Sequence, residues 1–242
     1  MTEKKTALVT GATRGIGHEI ARQLAETGHE VWLGSRDANR GEEAAAALRA
    51  RGLKAHVLLL DVADDDSVAK AAALLAAQTD RLDILVNNAG VANGFDHTPL
   101  DEPLASVKDV YEVNVFGPIR VTQAFVPLLK ASAGAQVIML SSELGSLSAL
   151  LDPENEFYGV NLLSYNSSKT ALNAATVSFA KALEPFGIRV NAVDPGFTAT
   201  DMNGHAGYRS VAQAAEVPLA LATGGMEGVS AAFLNHNGRL GW

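Results

Sequence analysis

Short apolar runs alternate along the chain with longer amphipathic or alanine-rich stretches. The runs fall at 7–9, 31–33, 57–60, 84–86, 137–140, 188–193 and 229–234. Several are continuously apolar, as parallel strands covered on both faces require. Between them lie stretches of helical periodicity at 16–27, 38–51, 67–79, 104–129 and 164–185, with a weaker one at 208–222. Pro185 and Gly187 close the fifth of these just ahead of a strand. Regular alternation of this kind predicts an α/β fold, a doubly wound parallel β-sheet of about seven strands flanked by helices on both faces. No repeat, linker or low-complexity segment divides the chain, so residues 1–242 read as a single domain. In such a sheet, ligands bind at the carboxyl ends of the strands, beside the point where strand order reverses. Glycines and polar residues do collect at those ends.

Composition narrows the chemistry. The 242 residues are 48% hydrophobic and include no cysteine, which excludes disulfides and thiolate metal sites. The six histidines are scattered, with no pair at ligand spacing on one helix, so no metal site is expected. A formal net charge of −8 argues against broad nucleic-acid or anionic-membrane binding, yet leaves room for a small basic pocket. The first residues lead into a strand-like run without the apolar core of a signal peptide, and no apolar stretch is long enough to span a bilayer. A soluble, cytoplasmic protein is expected.

The first predicted strand runs into Thr10-Gly11-Ala12-Thr13-Arg14-Gly15-Ile16-Gly17 and then a helix. Glycines here permit a tight turn and close approach of backbone to a pyrophosphate, while the helix N-terminus offers N–H donors. A glycine-rich turn alone is equally a loop that needs positive φ. The spacing, Gly-x3-Gly-x-Gly, departs from the commoner Gly-x-Gly-x2-Gly. Together with Asn87-Asn88-Ala89-Gly90 after the fourth strand, it resembles the short-chain dehydrogenase/reductase family, whose sheet is of the Rossmann type. The resemblance implies that Gly11, Thr13, Arg14, Gly15, Ile16 and Gly17 hold a dinucleotide. It implies further that Asn88, Ala89 and Gly90 line the same site while stabilising the sheet.

An NAD enzyme places Asp or Glu at the end of the second strand to hydrogen-bond the ribose 2′-OH. Here that strand ends Leu33-Gly34-Ser35-Arg36, with no carboxylate at Ser35, where the resemblance would place it. A carboxylate would repel a 2′-phosphate, whereas Arg36 can pair with one through its planar guanidinium. Arg14 could reach the same phosphate. NADP is therefore the expected cofactor, although solvated surface arginines would read alike. Asp61 and Val62, after the third strand, stand where the family contacts the adenine ring; Asp61 equally suits a helix cap ahead of Asp64-Asp65-Asp66.

Within the stretch 164–185, Leu172, Ala175, Phe179, Ala182 and Leu183 form an apolar stripe, and helical steps backwards reach Lys169 and Tyr165. A free tyrosine has a pKa of about 10, too high for efficient proton exchange at neutral pH. A lysine one turn away, and the positive charge of oxidised nicotinamide, would both favour the phenolate. A lysine stem lying along apolar surface beside a packing tyrosine would leave the same pattern. In register with the glycine loop and Asn-Asn-Ala-Gly, the resemblance implies a catalytic pair that also contacts the cofactor. Ser141 and Ser142 follow the fifth strand and should point to opposite faces. The resemblance selects Ser142 as the donor to the substrate's carbonyl oxygen. It also implies that Asn114 holds a water linking Lys169 to solvent, where the plainer role is a local backbone hydrogen bond. The turn containing Pro195, Gly196 and Thr198 resembles the family's segment near the nicotinamide, with Thr198 approaching the carboxamide or phosphates. The stretch 199–215, rich in Gly, Ala and polar residues, reads as a mobile substrate-covering segment.

The match covers nearly the whole chain, with one departure. Ser142 and Tyr165 stand farther apart than in compact members of the family. The extra segment around 151–159 resembles the carbonyl-reductase-like branch, as does the ending at 233–242. Glu143 puts an acid where a small residue is expected. The insertion could shape substrate entry, or cover a helix face that relatives use to form a homo-dimer or homo-tetramer. The expected function is NADPH-dependent reduction of a ketone or aldehyde, a small-molecule carbonyl substrate, with neither nucleic acid nor membrane as partner. Two alternatives stay open: reduction of a carrier-bound 3-oxoacyl thioester, and non-catalytic NADP-binding regulation on the same fold.

Overall fold

The apolar runs become strands β1 (Thr6–Thr10), β2 (Glu30–Ser35), β3 (Ala55–Leu59), β4 (Ile84–Asn87), β5 (Gln136–Leu140), β6 (Arg189–Val193) and β7 (Phe233–Asn235). A short β8 (Gly238–Arg239) follows. The computed structural model describes residues 5–93 and 96–242. One sheet has the order β3-β2-β1-β4-β5-β6-β7-β8, parallel except for β8, which returns antiparallel to β7. β8 is the strand beyond the expected seven, and a two-residue return carries no apolar run to announce it. The last run, 229–234, contributes only its end to the sheet. Ala231 takes a φ of 52°, and the Asn191 amide binds Val229 O and Ala232 N at 2.9 and 3.1 Å, holding that approach as a loop.

Helices α1 (Gly15–Glu26), α2 (Ala38–Arg49) and α8 (Val211–Thr223) cover one face of the sheet. On the other lie α3 (Asp65–Ala76), α5 (Gly117–Lys130) and α7 (Leu163–Leu183). Side chains alternate between the two cores along a single strand: Ala7 and Val9 pack with Ile20 and Leu24, Leu8 with Leu75 and Phe125. This two-sided burial is why the strands read as unbroken apolar runs.

Two helical expectations change in the fold. The stretch 104–129 divides into α4 (Leu104–Tyr111), a π turn at Glu112–Phe116 and α5. The π turn carries Asn114, and such turns are frequent at functional sites. The irregular stretch expected at 199–215 ends earlier, because Ser210 and Gln213 form a capping box that starts α8 at Val211. Just before the insertion, α6 (Leu147–Leu150) adds one short turn. Among the described residues, no helix is long and apolar enough to cross a membrane. Strand order reverses between β1 and β4, and the site lies at the carboxyl ends of those strands.

Candidate active site

The loops after β1 and β4 hold each other. The Thr10 hydroxyl accepts the backbone N–H groups of Asn88 and Ala89, each at 3.0 Å. In return the Asn88 amide donates to Thr10 O at 2.8 Å and Gly11 O at 3.1 Å. Packing is tight enough to demand glycine: a Cβ on Gly17 would lie 2.7 Å from Gly11 O, and Gly11, at φ 62°, faces Ala89.

Over these loops opens a cleft of about 470 Å³. Gly11, Thr13, Arg14, Gly15, Ile16 and Gly17 line it, as do Asn88, Ala89, Gly90 and Pro195. Ser35, Arg36, Asp61 and Val62, at the ends of β2 and β3, line it on one side of β1. Tyr165 and Lys169 line it on the side of β5. Gly196 and Thr198 stand back from the cleft. The Thr198 side chain is buried and donates to Pro195 O and Gly196 O at 3.2 and 3.0 Å, while Thr200, Asp201 and Met202 take its place at the wall.

At the β2 and β3 ends the structure adds one residue to the site and decides between the two roles open to Asp61. Arg14 donates to Asp201 at 2.8 Å, so its ion-pair partner is the segment after β6 and not a neighbour of Ser35. Arg40, one turn along from Arg36 at the start of α2, also lines the cleft. Between the two arginines, Asp37 caps α2 by accepting from Asn39 N and Arg40 N at 2.9 and 3.1 Å. The cap of α3 is Asp64, which accepts from Ser67 N at 2.8 Å, and Asp61 faces the cleft instead.

Along α7, Leu172 and Leu183 are buried as their spacing predicts, but Ala182 is exposed. Polar Ser168, Asn173 and Thr176 complete the buried face, where no apolar pattern marks them. Lys169 belongs to that face, its Nζ donating to Leu140 O at 2.8 Å and lying 5.5 Å from the Tyr165 ring centre. Tyr165 is partly open to the cleft. The two serines diverge: Ser141 reaches the cleft wall and donates to Asn173 Oδ1 at 2.6 Å, whereas Ser142 Oγ lies near the Tyr165 phenol, outside the cleft wall, and accepts from Leu144 N at 3.2 Å. Asn114 spans to the loop after β4, accepting from Val91 N at 2.9 Å and donating to Val91 O at 2.8 Å and Ser168 Oγ at 3.1 Å. Its amide thus serves the backbone, though of a distant segment.

Electrostatics run against one expectation. Burial of its hydroxyl, and then the negative charge of Asp194, push the Tyr165 phenol up to about 12, against the influence of the nearby Ser142 hydroxyl. Burial pushes Lys169 down to about 8, with Asp194 opposing. The chain's own residues therefore keep the phenol protonated, the reverse of the direction expected from a neighbouring lysine.

A family model described as short chain dehydrogenase matches residues 5–209. The chain belongs to the short-chain dehydrogenase family. It is 36% identical over 269 residues to (+)-neomenthol dehydrogenase from Arabidopsis thaliana, covering 89% of this chain and 90% of that relative. Identity to (−)-isopiperitenone reductase from Mentha piperita is 34%, over 90% of this chain and 92% of the relative. The solved structure of an NADPH-bound carbonyl reductase from chicken fatty liver matches with a TM-score of 0.87 at 29% identity, covering 99% of this chain and all of that one. Within the family the chain is carbonyl-reductase-like, and it is an oxidoreductase.

Sequence reasoning passed over three groups that this short-chain dehydrogenase brings to the site. Arg40 had a usable signal, its i+4 spacing from Arg36 across a helix start. Thr200 and Asp201 had none, since a loop's path decides which of its residues reach the wall. Asp194, an acid at the end of an apolar strand, is buried with 5% exposure.

Proposed function

We propose that this short-chain dehydrogenase reduces the carbonyl of a small ketone or aldehyde to an alcohol, reversibly, with NADPH. The observation that carries the reading is Tyr165 beside buried Lys169, with Ser142 near the phenol, in a cleft that also reaches Arg36 and Arg40. The cleft's residues fit a phosphorylated dinucleotide. Glycines clear its wall, and the two arginines offer planar donors to a 2′-phosphate where Ser35 brings no negative charge. NADPH would supply the hydride when bound.

The chain's own groups would handle the proton. An alkoxide is a stronger base than a phenolate, so a phenol held near 12 still gives its proton to the developing oxyanion. Ser142, near the phenol, would orient and polarise the carbonyl oxygen beside it. Lys169, anchored on Leu140 O, would keep positive charge near the phenolate as it forms. Asn114 would hold the loop carrying Gly90 and Val91 against α7.

Consumption of NADPH against a panel of ketones tests the reading, with Tyr165→Phe as the comparison. The parent should turn over, and the variant should bind NADPH yet lose about 100-fold or more in rate. NADPH binding by the parent with no carbonyl-dependent turnover would favour a binding protein on the same fold.

A further inference from the structure

The turn from Ser141 to Gly145 carries Ser142 across the face of α7, and both of its ends meet one side chain there. Asn173, one helical turn after Lys169 on the same buried face, is 3% exposed. Its Oδ1 accepts from the Ser141 hydroxyl at 2.6 Å, and its Nδ2 donates to Gly145 O at 3.2 Å. One amide therefore bridges the residue before Ser142 and the residue that closes the turn. Between those ends the turn folds on itself, Gly145 N donating to Ser142 O at 2.8 Å and Leu144 N to Ser142 Oγ at 3.2 Å. The second bond uses a lone pair of the Ser142 oxygen and leaves its proton to donate. The fit against α7 is close: a Cβ on Gly145 would lie 2.7 Å from the Lys169 carbonyl carbon.

We propose that Asn173 is a positioning residue for Ser142, its amide fixing the span of the turn and so the place of the Ser142 hydroxyl. The inference rests on the reductase reading for its kinetic consequence only. An amide suits the task because it presents an acceptor and a donor from one rigid plane. The Ser141 hydroxyl needs the first, and the Gly145 carbonyl the second. A carboxylate would lose the donor, and an aliphatic chain would lose both. Neither end depends on Asn173 alone: the Ser141 hydroxyl also lies 3.5 Å from Lys169 O, and Gly145 O also accepts from Thr170 at 3.1 Å. Loss of the amide would leave each polar group a partner, yet remove the link that spans them. The expected consequence is a displaced Ser142 in an otherwise intact fold. Tyr165, Lys169 and Asn173 follow one another at single turns of α7. The helix that carries the proton donor would thus also place the group that polarises the carbonyl.

The test has two arms. In the free protein, amide hydrogen exchange read residue by residue reports the turn, through the Gly145 and Ser146 amides that bond within it. Asn173→Leu should speed exchange at both by about tenfold or more, while Val137 and Ile138 in β5 stay protected. In turnover, a double-mutant cycle with Ser142→Ala reports what the turn does. With Ser142 present, Asn173→Leu should lower kcat about tenfold and leave the dissociation constant of NADPH unchanged. In the Ser142→Ala background the same substitution should change kcat by less than about twofold, since the group it positions is gone. Ser141→Ala, a smaller change that removes the other end of the bridge, should repeat both patterns more weakly, and it stands in if Asn173→Leu does not fold. Equal losses of kcat in both backgrounds overturn the proposal, because a general structural defect would not depend on Ser142. So does unchanged exchange at Gly145 and Ser146. Accelerated exchange in the variant, with no ketone-dependent NADPH consumption by the parent, would sink the reductase reading and leave Asn173 as the residue that fixes the turn.

Discussion

The guanidinium of Arg14 donates to the carboxylate of Asp201 at 2.8 Å, joining the glycine loop to the segment after β6. Both side chains are largely exposed, 69% and 48%, so the pair contributes about 0–1 kcal/mol to stability. Its interest lies in competition, because Arg14 lines the cofactor cleft while paired to a carboxylate. Asp201→Asn should leave thermal stability almost unchanged and free Arg14 for phosphate. NADPH affinity should rise by up to about fivefold at low ionic strength, and the gain should fade with salt. Fluorescence titration with NADPH checks this. Weaker binding would show that the pair instead holds the loop in its binding shape.

Arg36 and Arg40 are the basic groups at the β2 end of the cleft. Arg36→Asp should weaken NADPH binding by about 10–100-fold, the cost of a charge-assisted contact replaced by repulsion. NADH binding should change little. Arg40→Ala should act in the same direction but less, since Arg40 sits 3.7 Å from the Asp37 carboxylate. Parallel dissociation constants for both dinucleotides decide the matter, and equal losses would count against a 2′-phosphate site.

Lys169 places an ionisable amine in the core. Its folded pKa, about 8 against 10.5, means that protonation favours the unfolded chain. The resulting penalty is absent above about pH 10.5, grows as pH falls, and is complete below about pH 8. Lys169→Met should therefore stabilise the fold at pH 7 by about 1–3 kcal/mol while abolishing turnover. The advantage should shrink between pH 8 and 10.5. Denaturant unfolding at several pH values measures it. A stability difference that ignores pH would trace to packing and not to charge.

The insertion before Tyr165 is stitched to the site at two points. Asn155 donates to Glu143 at 2.7 Å, and Tyr208 donates to Glu156 at 3.0 Å, with Phe197 packed edge-on against Tyr208. Glu156→Ala should raise KM for the carbonyl substrate several-fold while leaving NADPH affinity unchanged. Steady-state kinetics in both substrates separates the two effects. A matching loss of NADPH affinity would show that the insertion orders the whole cleft.

Legibility in the sequence follows the range of the forces involved. Strand runs survive because burial on both faces forces apolar residues at every position, as Ala7, Leu8 and Val9 show. Lys169 was found by stepping along a helical period, a geometry that holds whatever surrounds the helix. The same stepping misjudged Ala182, because the buried face of α7 turns toward polar Asn173 and Thr176, whose hydrogen bonds hydropathy does not record. Asn114 stood out as polar within an apolar stretch, yet its partners Val91 and Ser168 come from other elements.

The sequence by itself determined the doubly wound sheet, the glycine loop, and the presence of a serine, a tyrosine and a lysine at strand and helix ends facing one crevice. These depend on spacing within a segment, and chain geometry is local. Only the tertiary structure decided that Arg14 turns to Asp201 while Arg40 joins Arg36, and that Thr198 faces inward. It also decided that the phenol is held protonated by burial and by Asp194. Burial and charge are sums over neighbours that lie far apart in the chain, and they exist only once the segments have been packed together.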